Sequence, residues 1–194
     1  DARVLRDEFV PGEVQYREAE VDHLSSVLDP ITKGLPAESA LITGPTGAGK
    51  TCIARFTVDR LRQQYLEVTH QYVNCWRRHS AFRTLQRILE GIGRDVGVHR
   101  RSTPLDVLVD RLRDYDGPPY VVILDEADQL DDKGILYDLH GLPQFSLVLI
   151  ANREEAVFAE TDDRLTSRLR GSERIRFDQY DIDELRAILQ ARAD

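Results

Sequence analysis

The chain reads as an α/β protein, a five-stranded parallel sheet with helices on both faces. Three observations lead there. Short apolar runs recur, such as Tyr120 to Leu124 (YVVIL) and the SLVLIA that closes Gln144 to Ala151. Each is long enough for a strand buried on both faces and too short for a helix. Between them lie stretches whose apolar residues recur at helical spacing, and alternation of the two implies parallel strands joined by helical crossovers. Finally, Ala40 to Ile42 runs into a glycine-rich loop that runs straight into a helix.

Taken in order, Ala40 to Ile42 is the first strand. Lys50 to Tyr65 is the helix after the loop, with Ile53, Ala54, Phe56, Thr57 and Leu61 on its inner face. Val68 to Cys75 (VTHQYVNC) is the second strand. Ser80 to Ile92 and Pro104 to Tyr115 are helices, with Gly91, Gly93 and Gly97 marking the loop between them. Gly117, Pro118 and Pro119 break the chain before the third strand, Tyr120 to Leu124. Gln144 to Ala151 is the fourth, Glu173 to Phe177 the fifth, and Asp181 to Ala193 a last helix begun by its aspartate cap. There are no repeats and no low-complexity tracts.

Bulk properties narrow the function. At 194 residues and 41% apolar, the chain is one domain, or one and the start of another. No apolar run approaches the roughly 20 residues of a membrane helix. The charged opening DARVLRDEF is no signal peptide, so the expectation is a cytoplasmic, nucleoid-associated protein without a membrane partner. Cys52 and Cys75 have neither CxxC nor histidine spacing and are expected as reduced thiols. The sequence contains no Met, which suggests a piece trimmed from a longer chain. A net charge of −8 argues against the whole surface binding nucleic acid. Lysine occurs only at 33, 50 and 133, a pattern that fits a salt-adapted cytoplasm or GC-rich coding.

The loop carries the chemistry. Gly44-Pro45-Thr46-Gly47-Ala48-Gly49-Lys50-Thr51 matches G-x-x-x-x-G-K-[ST], with Cys52 next. Its glycines let successive N–H groups turn inward, and the positive end of the following helix adds to that cradle. Lys50 would reach the β and γ phosphates of ATP or ADP, and the Thr51 hydroxyl would hold Mg2+. A glycine turn closing a strand is the plainer account, but strand, loop and helix together favour nucleotide binding.

The third strand ends in Asp125-Glu126. An aspartate at a strand tip beside such a loop can hold magnesium through its water shell, and the next residue can activate the attacking water. Asp125 is therefore the candidate metal-associated residue and Glu126 the candidate catalytic one, although acidic residues also end strands merely because the chain surfaces. Asn152, just past the fourth strand, would face the γ-phosphate if that strand inserts between the first and third; otherwise it caps the next turn. Asp125 to Asp128 spell DEAD, but RNA helicases of that name use two such domains and typically a Ser-Ala-Thr after the next strand. Here there is one loop, and the next strand ends Ile150-Ala151-Asn152.

Phosphate loop, Asp-Glu and strand-end Asn in this order resemble a AAA+ core of the P-loop NTPases. Over nearly the whole chain the resemblance is narrower. Phe9-Val10-Pro11 followed by Arg17-Glu18 and a helix, then GPTGAGKT, YVNC, VVILDEADQL and the closing IRFDQYDIDELRAILQAR are similar to the archaeal origin-recognition and replication-initiator ATPases. YVNC and the closing stretch carry most of it, since clamp loaders share the rest. The resemblance implies an ATP-controlled switch that recognises origin DNA and helps load the replicative helicase with other initiator subunits. It implies that residues 1–178 are the nucleotide-binding core and 179–194 the start of a largely truncated helical lid, the winged-helix DNA-binding domain being absent. It places Val10, Pro11 and Arg17 against adenine, and Arg164 or Arg168, in DDRLTSRLRG, as an arginine finger. The alternative for those two arginines is pairing with Asp162 or Asp163.

Residues 77–101 hold seven arginines against Glu90 and Asp95, a local reversal of the overall charge. The resemblance puts DNA contact there, with Arg94, Arg100 and Arg101 as candidates. Trp76 and Phe82 are expected to be buried. Two other functions stay open: another AAA+ machine such as a clamp loader subunit, and a scaffold that holds nucleotide with little turnover.

Overall fold

The strands are Ala40–Thr43 (β1), Thr69–Asn74 (β2), Tyr120–Asp125 (β3), Phe145–Ala151 (β4) and Glu173–Arg176 (β5). All pair in parallel, in the order β2-β3-β4-β1-β5. This computed structural model describes residues 14–65, 67–159, 161 and 163–193. The five expected strands are all present, each within two residues of the expected ends.

Position in the sheet explains the sequence of each strand. Every residue of β3 and β4 is buried, because both are internal and covered on both faces. β2 and β5 are the edges, and there only Val73 and Ile175 are buried.

Alternate strand residues feed two cores. On one face Ile42, Val121, Ile123, Val148 and Ile150 pack with the helices Glu18–Leu28 (α1) and Lys50–Gln64 (α2). α1 contributes Val21, Leu24 and Leu28, and α2 contributes Ile53, Ala54 and Val58, each set at helical spacing. A 3-10 turn over Asp29–Lys33 ends α1 and closes at Gly34, whose φ of 73° suits glycine. On the other face Leu41, Val122, Leu124, Leu147 and Leu149 meet Ala81–Gly91 (α3), Leu105–Arg113 (α4), Gly134–His140 (α5) and Asp163–Leu169 (α7, numbered past α6, Glu154–Phe158). Leu85, Ile88 and Leu89 of α3 and Leu108 and Leu112 of α4 form the middle of that layer. Ile182–Ala193 (α8) follows β5. The sequence reading did not anticipate α5 or α6, which are too short for a periodic signal. Among the described residues no helix is long and apolar enough to cross a membrane.

Ser146, fully buried in β4, anchors the approach to β1. Its hydroxyl accepts from the Ala37 N–H at 2.7 Å and donates to the Ala37 carbonyl at 3.0 Å. Ser146→Ala strands both groups away from water, so it should lower unfolding free energy by about 1–3 kcal/mol in urea titration. A change within error would mean that the Ala37 segment finds other partners.

Candidate functional site

Register and strand order bring the strand tips together. Thr43 lies opposite Ala151, and Asn74 opposite Asp125, so the residues that leave β1, β3 and β4 emerge along one edge. β4 does insert between β1 and β3. The loop 44–49 starts from that edge. Gly44 has φ 152°, and a Cβ there would strike the Phe177 carbonyl oxygen and lie 2.8 Å from the Phe177 Cβ. Gly49 has φ 88° and begins α2. A side chain at either position would push the loop out of its path.

Lys50 is buried at the start of α2, and its ammonium donates to the carbonyls of Gly44 (2.7 Å) and Pro45 (2.8 Å) and to Asn152 Oδ1 (3.1 Å). Burial holds its pKa below the ordinary lysine value, against the pull of Asp125, Asp128 and Glu126. Thr51 Oγ donates to Asp125 Oδ2 at 2.9 Å, which ties the first turn of α2 to the tip of β3. The same oxygen accepts from Tyr72 on β2 at 2.8 Å, while Asp125 Oδ1 accepts the Glu126 N–H at 3.0 Å. Thr46 Oγ lies 3.4 Å from Asn152 Oδ1.

Glu126 adopts a left-handed backbone, φ 54°, which a side chain favours little. That turn takes its carboxylate off the strand direction and into the cavity. Burial raises its pKa above the ordinary carboxylate value, and Asp125 and Asp128 raise it further; a hydrogen bond from Asn74 and the charge of Lys50 act in the opposite sense. Asn74, at the tip of β2, also accepts the Arg77 N–H at 2.9 Å. These groups surround a cavity of about 490 Å³. Lys50, Thr51, Arg55, Asp125, Glu126 and Asn152 form its polar side, and Tyr180, Leu185, Ile188 and Leu189 its apolar side. Thr46, Gly47, Gly49 and Cys52 also line it. Cys52 and Cys75 are both free thiols, and Cys75 is held protonated by burial.

The structure shows what surrounds Arg17, Arg94 and Trp76, and the exposure of Trp76 corrects its expected burial. Arg17 does not line the cavity. It is buried, pairs with Glu20 at 2.8 Å, donates to the Asp178 carbonyl, and sits 5.1 Å from the Phe177 ring centre and 4.1 Å from that of Tyr180. It stands behind Tyr180, which does reach the cavity. Arg94 is half-buried and has partners within the chain. Its guanidinium pairs with Asp116 at 2.9 Å, donates to the Asp114 carbonyl and lies over the Tyr115 ring. Trp76 is 67% exposed, in the turn after β2; Phe82 is half-buried against the core as expected. Val10 and Pro11 lie outside the described residues.

Arg100 and Arg101 are exposed in the loop between α3 and α4. On α7 both arginines are exposed; Arg168 stacks 3.9 Å above the Tyr137 ring of α5, and Arg164 lies at a groove between α4, α5 and α7. Sequence reasoning missed Tyr72, Asn74 and Tyr180. The first two lie in the YVNC stretch, where a tyrosine and an asparagine two residues apart share one strand face, and Tyr180 is the first aromatic after the fifth strand's Phe177.

An AAA domain matches residues 35–157. The chain belongs to the AAA domain family. Within it, the chain is 58% identical over 192 residues to each of two ORC1-type DNA replication proteins of Halobacterium salinarum, numbers 9 and 1. These alignments cover 99% of the chain and 54% and 62% of the relatives, so the chain spans somewhat over half their length. Among solved structures, the ORC1 protein of Aeropyrum pernix in complex with DNA superposes with a TM-score of 0.82 at 33% identity, over 98% of this chain and 52% of that one. The ORC2 protein of the same organism, in its ADPNP-ADP complexes, shares the fold with a TM-score of 0.81 at 24% identity, over 100% of this chain and 55% of that one. The resemblance to archaeal initiators read from YVNC and the closing stretch is thus the one the comparisons show. In this AAA domain the matched stretch holds the loop, Asp125, Glu126 and Asn152, while α7, β5 and α8 lie beyond it.

Proposed function

We propose that the chain is the ATP-binding and slowly hydrolysing core of a DNA replication initiator, with α8 as the start of its lid. The convergence of Lys50, Thr51, Asp125, Glu126 and Asn152 on one cavity carries the reading. Lys50 exchanges loop carbonyls for phosphate oxygens of the nucleotide. Thr51 Oγ and Asp125, already in contact, are hard oxygen donors suited to magnesium. When bound, magnesium supplies charge to offset that of the phosphates. Glu126 takes the proton of the attacking water, with Asn74 holding its carboxylate, and Asn152 orients the γ-phosphate or that water. Output is a conformational change that helps mark an origin and load a helicase.

ATP binding and turnover test the core of this. Lys50→Ala should abolish binding. Glu126→Gln should keep binding and lose about 10²–10⁴-fold in turnover, the usual contribution of a positioned base. Wild-type turnover in Glu126→Gln would remove Glu126 from the reaction. Tight binding without wild-type turnover would favour the scaffold reading, and preference for primer junctions a clamp loader.

Arg164 is the better arginine finger, because the Arg168 guanidinium is stacked on Tyr137. Arg168→Ala should cost about 0.5–1 kcal/mol of stability. Arg164→Ala should leave stability alone yet lose up to ~10³-fold of any turnover stimulated by assembly of the full-length protein. The opposite pattern would exchange the two roles.

The exposed Arg100 and Arg101, with Trp76 elsewhere on the arginine-rich stretch, make residues 76–101 the candidate DNA surface. Reversing both arginines to Glu in the full-length protein should weaken DNA binding and flatten its salt dependence. Unchanged binding at low salt would exclude this surface.

A further inference from the structure

β2 is an edge strand and carries a run of polar and aromatic residues, THQYVN, of which only Val73 is buried. Tyr72 and Asn74 share a face of that strand, and the register sets them beside Ile123 and Asp125 of β3. Two residues along a strand is about 7 Å, the reach of a phenol. The Tyr72 ring accordingly runs up the α2 side of the sheet and ends with its hydroxyl 2.8 Å from Asp125 Oδ2. Arg55 of α2 lies 5.1 Å from the ring centre, so the ring is held from its face as well as from its tip.

We propose that Tyr72 is a positioning residue for the magnesium–nucleotide complex, acting through Asp125; this rests on the nucleotide reading above. An ionised carboxylate offers about four lone pairs. Oδ2 receives Thr51 at 2.9 Å and Tyr72 at 2.8 Å, and Oδ1 receives the Glu126 N–H at 3.0 Å. One direction, on Oδ1, is left for a metal-bound water. Without the phenol, a second lone pair opens on Oδ2 and only Thr51 and the Glu126 N–H restrain a torsion that is broad in aspartate. Tyr72 therefore converts a flexible carboxylate into a single aimed acceptor. Packing alone does not call for the hydroxyl, because phenylalanine would fill the same half-buried volume and keep the Arg55 contact.

The test is Tyr72→Phe in this chain, with ATP affinity measured in EDTA and across a magnesium titration. Affinity in EDTA should stay within about twofold of wild type, as should the melting behaviour within a degree or so. The magnesium concentration for half-maximal enhancement should rise about tenfold, the range seen when a partner of a metal-holding group is removed. In an Asp125→Asn background the same substitution should have no further effect. Wild-type magnesium dependence in Tyr72→Phe would overturn the role of Tyr72 and leave the nucleotide site standing. An undiminished Tyr72→Phe effect in the Asp125→Asn background would overturn the route through Asp125. Wild-type protein with no magnesium dependence at all would overturn both this role and the site reading on which it rests.

Discussion

The place of β4 between β1 and β3 governs the rest of the molecule. If consecutive strands simply lay side by side, the loop after β1 would be separated from the tip of β3 by β2, and Asn152 would stand outside both. With β4 inserted, the Gly44 loop and Asn152 leave adjacent strands at the same level, with Asp125 two residues lower on the other side of β4. Thr51 can then reach Asp125 directly, and Lys50 can reach Asn152. The same order makes β3 and β4 internal, which is why both are buried throughout and apolar apart from Ser146 until Asp125 at the tip of β3 and Asn152 just past β4. Placement of chemistry at strand tips is a general property of open parallel sheets; here the strand order decides which tips meet.

Electrostatics at that edge are unbalanced. Asp125, Glu126 and Asp128 each raise the pKa of Lys50, and Arg55 is the other cation at the cavity, so three acidic groups face two basic ones. Lys50 is meanwhile bonded to two carbonyls and an amide oxygen, groups that offer only partial charge. A ligand bringing phosphates alone would add to the negative charge, whereas phosphates with a divalent cation would relieve it. Glu126 feels the imbalance most: burial and its acidic neighbours work against its ionised form, and only Asn74 and Lys50 support it. A carboxylate destabilised in this way accepts a proton more readily, which suits a base acting on water. Its left-handed backbone is a second local cost at the same residue, of the kind that persists where surrounding structure holds it.

What could be read from the sequence follows from how local each signal is. The internal strands were legible because burial on both faces leaves an unbroken apolar run, and the loop was legible because its glycines, lysine and threonine act through adjacent backbone. Asp125 and Asn152 were legible as polar residues that end such runs. The surroundings of Arg17 and Arg94 were not, because some of their partners are distant in the chain: Asp178 lies 161 positions from Arg17, and Asp116 22 positions from Arg94. Bulk suggested that Trp76 is buried, but it falls in the turn where β2 surfaces, and position overrode side-chain size. Tyr72 and Asn74 escaped because polar residues on an edge strand look like a solvent face until the register shows what stands opposite. α5 and α6 lacked the two or three turns that make a helical period visible.

Arg17 matters more as a clasp than as a wall of the cavity. Phe177 and Tyr180, the two rings it touches, are also the residues that press on the loop. Phe177 closes against Gly44, and the Tyr180 hydroxyl stands 2.8 Å from where a Cβ of Gly49 would be. Tyr180 in turn lines the cavity beside Leu185, Ile188 and Leu189 of α8. The link from β5 to α8 is therefore held on one side by Arg17 and Glu20 at the start of α1 and on the other by loop glycines that leave no slack. A nucleotide that shifts the loop toward Tyr180 would press on a ring that Arg17 holds from another side. Packed interfaces of this kind switch between arrangements and do not stretch. Under the proposed function, the occupancy of the cavity would be felt along this route, through a tyrosine that is at once its wall and part of the link into α8.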